Sequence, residues 1–162
     1  PRLLIADEPT TGLDVTTQAA IMDLVRELSR SRGMATVLIT HDLGLARDYC
    51  DRIAVMHAGH VVETGSTEQI FERPAHPYTA GLIAATPTEA SSLAALQPIP
   101  GGLPDLRGEL PACRFVERCP RRTPVCTAEA LPLVTLEPGH GAACHHPAVP
   151  AAPEMALREA MA

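Results

Sequence analysis

The chain has 162 residues, 46% hydrophobic but only 2% aromatic, with no tryptophan and a formal net charge of −6. That is enough for one ordinary domain, or one domain with a small appendix, on a core that must be aliphatic. The acidic balance disfavours a nucleic-acid partner, no apolar run approaches the roughly 18 residues of a membrane span, and no signal-peptide pattern opens the chain.

"RLLIAD" (2–7) is a short continuous apolar run, the pattern of a strand buried on both faces. Ile21, Leu24, Val25 and Leu28 then recur at helical spacing, and Gly33 marks the stop. "ATVLIT" (35–40) reads as a second buried strand, followed by a short helix from Leu43 to Tyr49. "RIAVMHAGHVVETG" reads as two strands about a tight Ala58-Gly59 turn, and Ser66 with Gln69 three residues on is a capping-box signature. "HPYTAGLIAATP" (76–87) predicts one more helix, closed by Pro87. Five prolines and three glycines between 87 and 112 describe a linker or strap. Residues 113–146 hold four of the five cysteines, and the Ala/Pro-rich tail over 147–162 is expected to be disordered or a frayed helix. Because Pro1 stands almost inside a strand, the chain is expected to be part of a longer one.

Strand, helix, strand predicts an α/β fold with a right-handed parallel crossover, and ligands of such sheets gather at the carboxyl ends of the strands. "DEP" and "THD" both lie at such ends. Asp7 and Glu8 are adjacent carboxylates leaving a buried strand, an arrangement a Mg²⁺–phosphate ligand would compensate.

"LLIADEPTTGLD", then "VLITHDL" after one helix, resembles the second half of an ABC (ATP-binding-cassette) nucleotide-binding domain, a parallel sheet with flanking helices. The resemblance covers Leu3 to Asp7 as the Walker B strand, Glu8 as the catalytic glutamate, Thr11 to Asp14 as the D-loop and His41 as the switch histidine. It implies ATP and Mg²⁺ as cofactors: Asp7 would hold Mg²⁺ largely through water, and Glu8 would activate the attacking water. His41 would contact the γ-phosphate, and Asp14 would act across the interface with a second ATPase subunit, identical or paralogous. No GxxxxGK[ST] occurs in the 162 residues, and no LSGGQ-type signature, so this chain by itself is expected to be inactive and the ATPase activity to belong to a longer parent.

"HPYT" at 76–79 and the run from Cys113 to His145 resemble the C-terminal extension of the oligopeptide/dipeptide importer subfamily. The segments expected are therefore 1–73, the nucleotide-binding part; 74–112, the HPYT helix and linker; 113–146, a small irregular Cys-rich extension; and the tail. Within the extension, disulfides do not suit a cytosolic ATPase. Zinc suits four thiolates but favours closer pairs, and an iron–sulfur cluster tolerates irregular spacing. Some members of the subfamily carry a [4Fe-4S] cluster here, which the resemblance would place on Cys113, Cys119, Cys126 and Cys144, with Zn²⁺ as the alternative and empty thiols third. His140, His145 and His146 are candidates to support that site.

The function implied is the ATP-hydrolysing subunit of an importer for peptides or related small solutes. It would be peripheral on the cytoplasmic face of the inner membrane, bound to transmembrane permease subunits and served indirectly by a substrate-binding protein. A non-transport ABC ATPase and a non-catalytic metal-binding fragment are the alternatives.

Overall fold

A computed structural model describes residues 1–87 and 96–148. Most of the tail expected to be disordered, and the first part of the strap, lie outside those residues. The chain divides into two compact units between Asp51 and Arg52.

In the first unit β1 (Leu3–Asp7) and β2 (Ala35–Ile39) pair in parallel, from Leu3 opposite Ala35 to Asp7 opposite Ile39. The crossover is α1 (Val15–Arg32), since two parallel strands cannot be joined by a tight turn. Gly33 ends α1 at φ 58, a left-handed conformation open to glycine, and its N–H returns to the carbonyls of Arg30 and Ser29. A second helix, α2 (Leu43–Tyr49), starts on Asp42, whose side chain accepts the N–H of Leu45.

The strands are not buried on both faces, contrary to the expectation from their apolar runs. Ser29 on α1 meets Thr36 on β2 at 2.6 Å, so the helix covers the face that also carries Leu4, Ala6 and Leu38. The opposite face leaves Leu3, Ile5, Val37 and Ile39 between 47% and 62% exposed. One helix over two strands can cover only one face of the pleat.

The second unit is built on a four-stranded antiparallel sheet in the order β3-β4-β6-β5. β3 (Arg52–His57) and β4 (His60–Ser66) turn through Ala58 and Gly59 at φ 49 and 82. Positive φ at both turn positions matches the right-handed twist of a two-residue hairpin. α3 (Thr67–Glu72) follows with the capping box formed in both directions between Ser66 and Gln69. α4 (Pro77–Ala84) has His76 as its cap and a proline in its first turn.

The Cys-rich extension is more regular than its proline content suggests. It forms a 3-10 turn (Val116–Arg118), a short helix α5 (Val125–Ala128) and two strands, β5 (Leu133–Glu137) and β6 (His140–Ala143). β6 docks on β4, with Glu63 opposite Ala142 and Thr64 opposite Gly141, so residues on both sides of the strap share one sheet. The pairing supplies the partner that β4 would lack on the side away from β3.

The core of this unit is aliphatic only in part. Val55, Val62 and Ile70 pack together, and Leu136 packs with Ala75 and Ala142. Between them one of the two phenylalanines meets one of the two tyrosines and a pair of histidines. Ring centroids lie 5.4 Å apart for Tyr78–Phe115, 4.5 Å for His57–Tyr78 and 6.0 Å for His76–Phe115. Two scarce aromatics, concentrated at one point and edged by imidazoles, do the work that composition assigned to aliphatics.

Successive residues of β4 face opposite sides, so Val62 enters the aliphatic cluster while Glu63 points the other way. Glu63 is 1% exposed, and its carboxylate accepts three hydrogen bonds of 2.8 Å: from the N–H groups of Ala75 and His76 and from Nε2 of His140. These tie β4, the entry to α4 and β6 together. Replacing Glu63 with alanine leaves three buried donors without an acceptor and is expected to cost about 3–5 kcal/mol, read as a lower midpoint in chemical denaturation.

Candidate functional sites

The ends of β1 and β2 bring Glu8 and His41 into contact. The ladder extends one rung past β1, the Glu8 N–H reaching the Ile39 carbonyl at 2.9 Å. Glu8 then adopts φ 44, a conformation rare for a side-chain-bearing residue and frequent where function fixes a side chain. Oε1 accepts from Nδ1 of His41 at 2.9 Å and Oε2 from the Thr11 hydroxyl at 2.9 Å. The pair remains open to solvent, with the His41 side chain 79% and that of Glu8 44% exposed. The hydrogen bond from His41, then that from Thr11, holds the Glu8 carboxyl below the ordinary 4.5. The same bond to Glu8 raises His41 above 6.5. At neutral pH this is an anionic carboxylate able to accept a proton from water, oriented by an imidazole.

Asp7 stands one residue back on the same strand, exposed, in register with Ile39. Asp14 is engaged elsewhere: Oδ1 accepts the N–H groups of Thr16 and Thr17 at 3.0 Å and Oδ2 the Thr17 hydroxyl at 2.7 Å, which caps α1 and lowers its pKa. Thr11, which had drawn notice only as part of a loop motif, proves to be a direct partner of the glutamate.

The second site lies wholly within the second unit. Cys113, Cys119, Cys126 and Cys144 are free thiols lining one cavity, together with His76, His145, His146 and Arg121. A 3-10 turn after Cys113, a turn after Cys119, the start of α5 at Cys126 and the end of β6 before Cys144 deliver the four sulfurs. The backbone braces them, the Cys113 N–H reaching the Cys126 carbonyl at 3.1 Å.

Each sulfur also has a donor beside it. Backbone N–H groups of Phe115, Arg121 and His146 serve Cys113, Cys119 and Cys144, the last at 3.3 Å. Thr123 Oγ1 lies 3.7 Å from the sulfur of Cys126 and 2.7 Å from Nε2 of His146. Burial pushes the thiols of Cys113, Cys119 and Cys144 above 9.0; the N–H groups oppose this, and neighbouring cysteines reinforce it.

Among the described residues no group of three or more His, Cys, Asp or Glu stands closed in position to hold an ion. The donor set nonetheless fits a soft metal centre: four sulfurs, N–H donors that favour thiolate, and a buried Nε2 of His145 with no partner. Of the histidines expected to support the site, His145 and His146 line the cavity, while His140 is held by Glu63. His76 was missing from that expectation, although "HPYT" begins with it. Burial pushes its imidazole down to about 4, with Glu63 opposing and His57 assisting.

A carboxylate–imidazole pair at the ends of parallel strands and a four-thiol cavity beside an antiparallel sheet are thus two candidate sites, one in each unit. The family described as "Oligopeptide/dipeptide transporter, C-terminal region" matches residues 62–126. A probable peptide ABC transporter ATP-binding protein y4tR of Sinorhizobium fredii is 47% identical over 145 residues, 89% of this chain and 43% of that protein. The oligopeptide transport ATP-binding protein OppD of Salmonella typhimurium is 46% identical over 147 residues, 91% of this chain and 44% of that one. The dipeptide transport ATP-binding protein DppD of Escherichia coli is 47% identical over 147 residues, 91% and 45%. The chain is thus similar to the ATP-binding proteins of oligopeptide/dipeptide ABC transporters, and its residues 62–126 match the C-terminal region described for them. It spans less than half the length of these relatives. A solved structure, cbiO1 of Clostridium perfringens, part of the ABC transporter complex cbiONQ, is 37% identical over 45% of this chain and 29% of that one. Its TM-score is 0.42. No helix among the described residues is long and apolar enough to cross a membrane.

The contact between Glu8 and His41 has a pH signature. His41 is raised, so its positive charge persists above 6.5 and is lost as pH rises through the raised value; Glu8 is lowered, so its negative charge is lost only as pH falls below 4.5. The full ion pair therefore spans the interval between those two limits. In Glu8→Gln the titration of the His41 ring, followed by NMR, is expected to move down toward 6.5. An unchanged midpoint would show that the pair does not form.

Proposed function

We propose that this chain supplies the second half of the ATPase of an importer subunit that energises uptake of peptides or related small solutes. The observation that carries the reading is the 2.9 Å contact of Glu8 with His41 at the ends of paired parallel strands. The names of relatives 46–47% identical over about nine-tenths of the chain support it.

In this reading Glu8 is the base that takes a proton from the attacking water, already anionic because His41 and Thr11 donate to it. His41, whose Nδ1 holds Glu8, presents the rest of its exposed ring toward the γ-phosphate, so water and phosphate are aligned by one rigid pair. Asp7, at the strand end, is the residue placed to hold Mg²⁺ through water, and the ion would supply charge neutralisation of the phosphates. Asp14 acts first as the cap of α1, which fixes the loop from Thr11 onward, and through that loop serves the interface with a second ATPase subunit. The partners are that subunit, identical or paralogous, and permease subunits in the membrane, on whose cytoplasmic face the protein sits peripherally. A non-transport ABC ATPase is disfavoured because the family match over 62–126 is to a transporter region.

The four cysteines form the second part of the proposal. Cys113, Cys119, Cys126 and Cys144 are the ligands of a metal–thiolate centre, with a [4Fe-4S] cluster ranked first and Zn²⁺ second. When bound, such a group would supply a cross-link among the segments that carry the four cysteines. Irregular sequence spacing and a cavity braced by backbone N–H donors support it.

Both parts are tested on the longer parent protein. Glu8→Gln is expected to reduce steady-state ATP hydrolysis by about 10²–10⁴-fold while ATP binding persists; retained turnover would remove Glu8 from the catalytic role. Iron, sulfide and zinc analysis with an anaerobic absorption spectrum decides the cysteines: iron with sulfide supports the cluster, zinc without sulfide replaces it, and neither metal overturns the centre.

A further inference from the structure

His76 sits at the meeting point of three features. Its backbone N–H is held by Glu63 at 2.8 Å, its ring tilts against Phe115 at 6.0 Å, and it lines the four-cysteine cavity while 1% exposed. Both backbone and ring are therefore fixed.

Nδ1 accepts the N–H of Tyr78 at 3.0 Å and caps α4. A neutral imidazole that accepts at Nδ1 carries its proton on Nε2. That second nitrogen belongs to a ring that is 1% exposed and lines the four-sulfur cavity, where an N–H is costly unless it finds an acceptor. Capping alone does not explain a histidine here, because asparagine or serine would cap as well. The cavity offers the acceptors: four sulfurs, three of them already served by backbone N–H groups and the fourth, on Cys126, by a hydroxyl at 3.7 Å.

We propose that His76 is a positioning residue of the metal–thiolate centre, its Nε2–H donating to a cysteine sulfur that bears charge once metal is bound. This rests on the metal–thiolate reading given above. It gives the first residue of "HPYT" two tasks on one ring: Nδ1 starts α4, and Nε2 stabilises the thiolates. The entry to the helix is thereby coupled to the loading of the cavity, with Glu63 holding the backbone between them.

Two substitutions separate the tasks. His76→Asn can offer an acceptor for the Tyr78 N–H but no donor at the Nε2 position. His76→Gln places an N–H₂ near Nε2 but gives up the cap. The measurement is Zn²⁺ affinity of the reduced, metal-free, full-length protein by chelator competition, with zinc as the probe whichever metal the site holds in the cell. Apoprotein thermal unfolding is followed in parallel. Asn is expected to weaken Zn²⁺ binding about 10–100-fold at unchanged stoichiometry and unfolding midpoint, and Gln to bind near the wild-type level with a lowered midpoint. Wild-type affinity in the Asn variant, or equal losses in both, overturns the proposal while leaving the metal centre standing. Failure of the wild-type protein to bind zinc also overturns the proposal, and the metal centre itself is removed by zinc binding unaltered by Cys126→Ser or by a protein that holds neither zinc nor iron with sulfide.

Discussion

The second unit depends on one buried carboxylate. Glu63 lies in an interior strand, where an isolated negative charge would be expelled, yet its oxygens accept from two backbone amides and one imidazole at 2.8 Å each. Those three donors belong to the chain entering α4 and to β6, which are 12, 13 and 77 residues away from Glu63 in sequence. A hydrophobic side chain at this position could pack, but it would leave the donors unmet and would not specify which segments approach. The carboxylate thus sets where the extension returns to the sheet, and with it where the last strand delivers Cys144.

From that anchor the appendix is assembled outward. Tyr78 packs with the Val55–Val62–Ile70 cluster on one side and with the Cys113–Phe115–Val116–Cys126 cluster on the other, joining hairpin and cysteine loops through a single ring. Arg114 donates to the carbonyl of Ala58, so the hairpin turn is also held by the residue beside the first cysteine. Arg118 reaches the carbonyl of Pro100 at 2.8 Å and pins the strap. The arginines that crowd the cysteines therefore act in part as clasps on backbone carbonyls. Arg121 lines the cavity of the four cysteines.

The first unit follows a different logic. Its chemistry stands at the open ends of two strands, where Glu8 leaves the regular conformation at φ 44 to meet His41. Everything near the pair is capping: Asp14 starts α1 and Asp42 starts α2, each with a side-chain acceptor for the first turn. The loops that carry Glu8 and His41 run into helix beginnings, whose free N–H groups need acceptors.

Much of this was legible in the sequence. The order and type of the first eight elements, the stop at Gly33, the capping box at Ser66 and the turn at Ala58-Gly59 follow from local pattern, because each is settled by residues within a few positions of one another. The strands β5 and β6 were not legible: "HGAA" has almost no side-chain signal and becomes a strand only because β4 offers it hydrogen bonds. The burial of β1 and β2 was overstated for a related reason, since composition records what a segment could bury and only its neighbours decide what it does bury. Glu8, His41 and the four cysteines could be named through the family resemblance their motifs carry. That Glu8 touches His41 and that His76 lines the cavity of the four cysteines are facts of proximity between residues far apart in the chain, whereas Thr11 and Asp14 meet partners two or three positions away. The sequence by itself determined which chemical groups are present and which local shapes carry them; tertiary structure decided which of those groups meet, because contact across dozens of residues is set by packing and by the need of every buried donor for an acceptor.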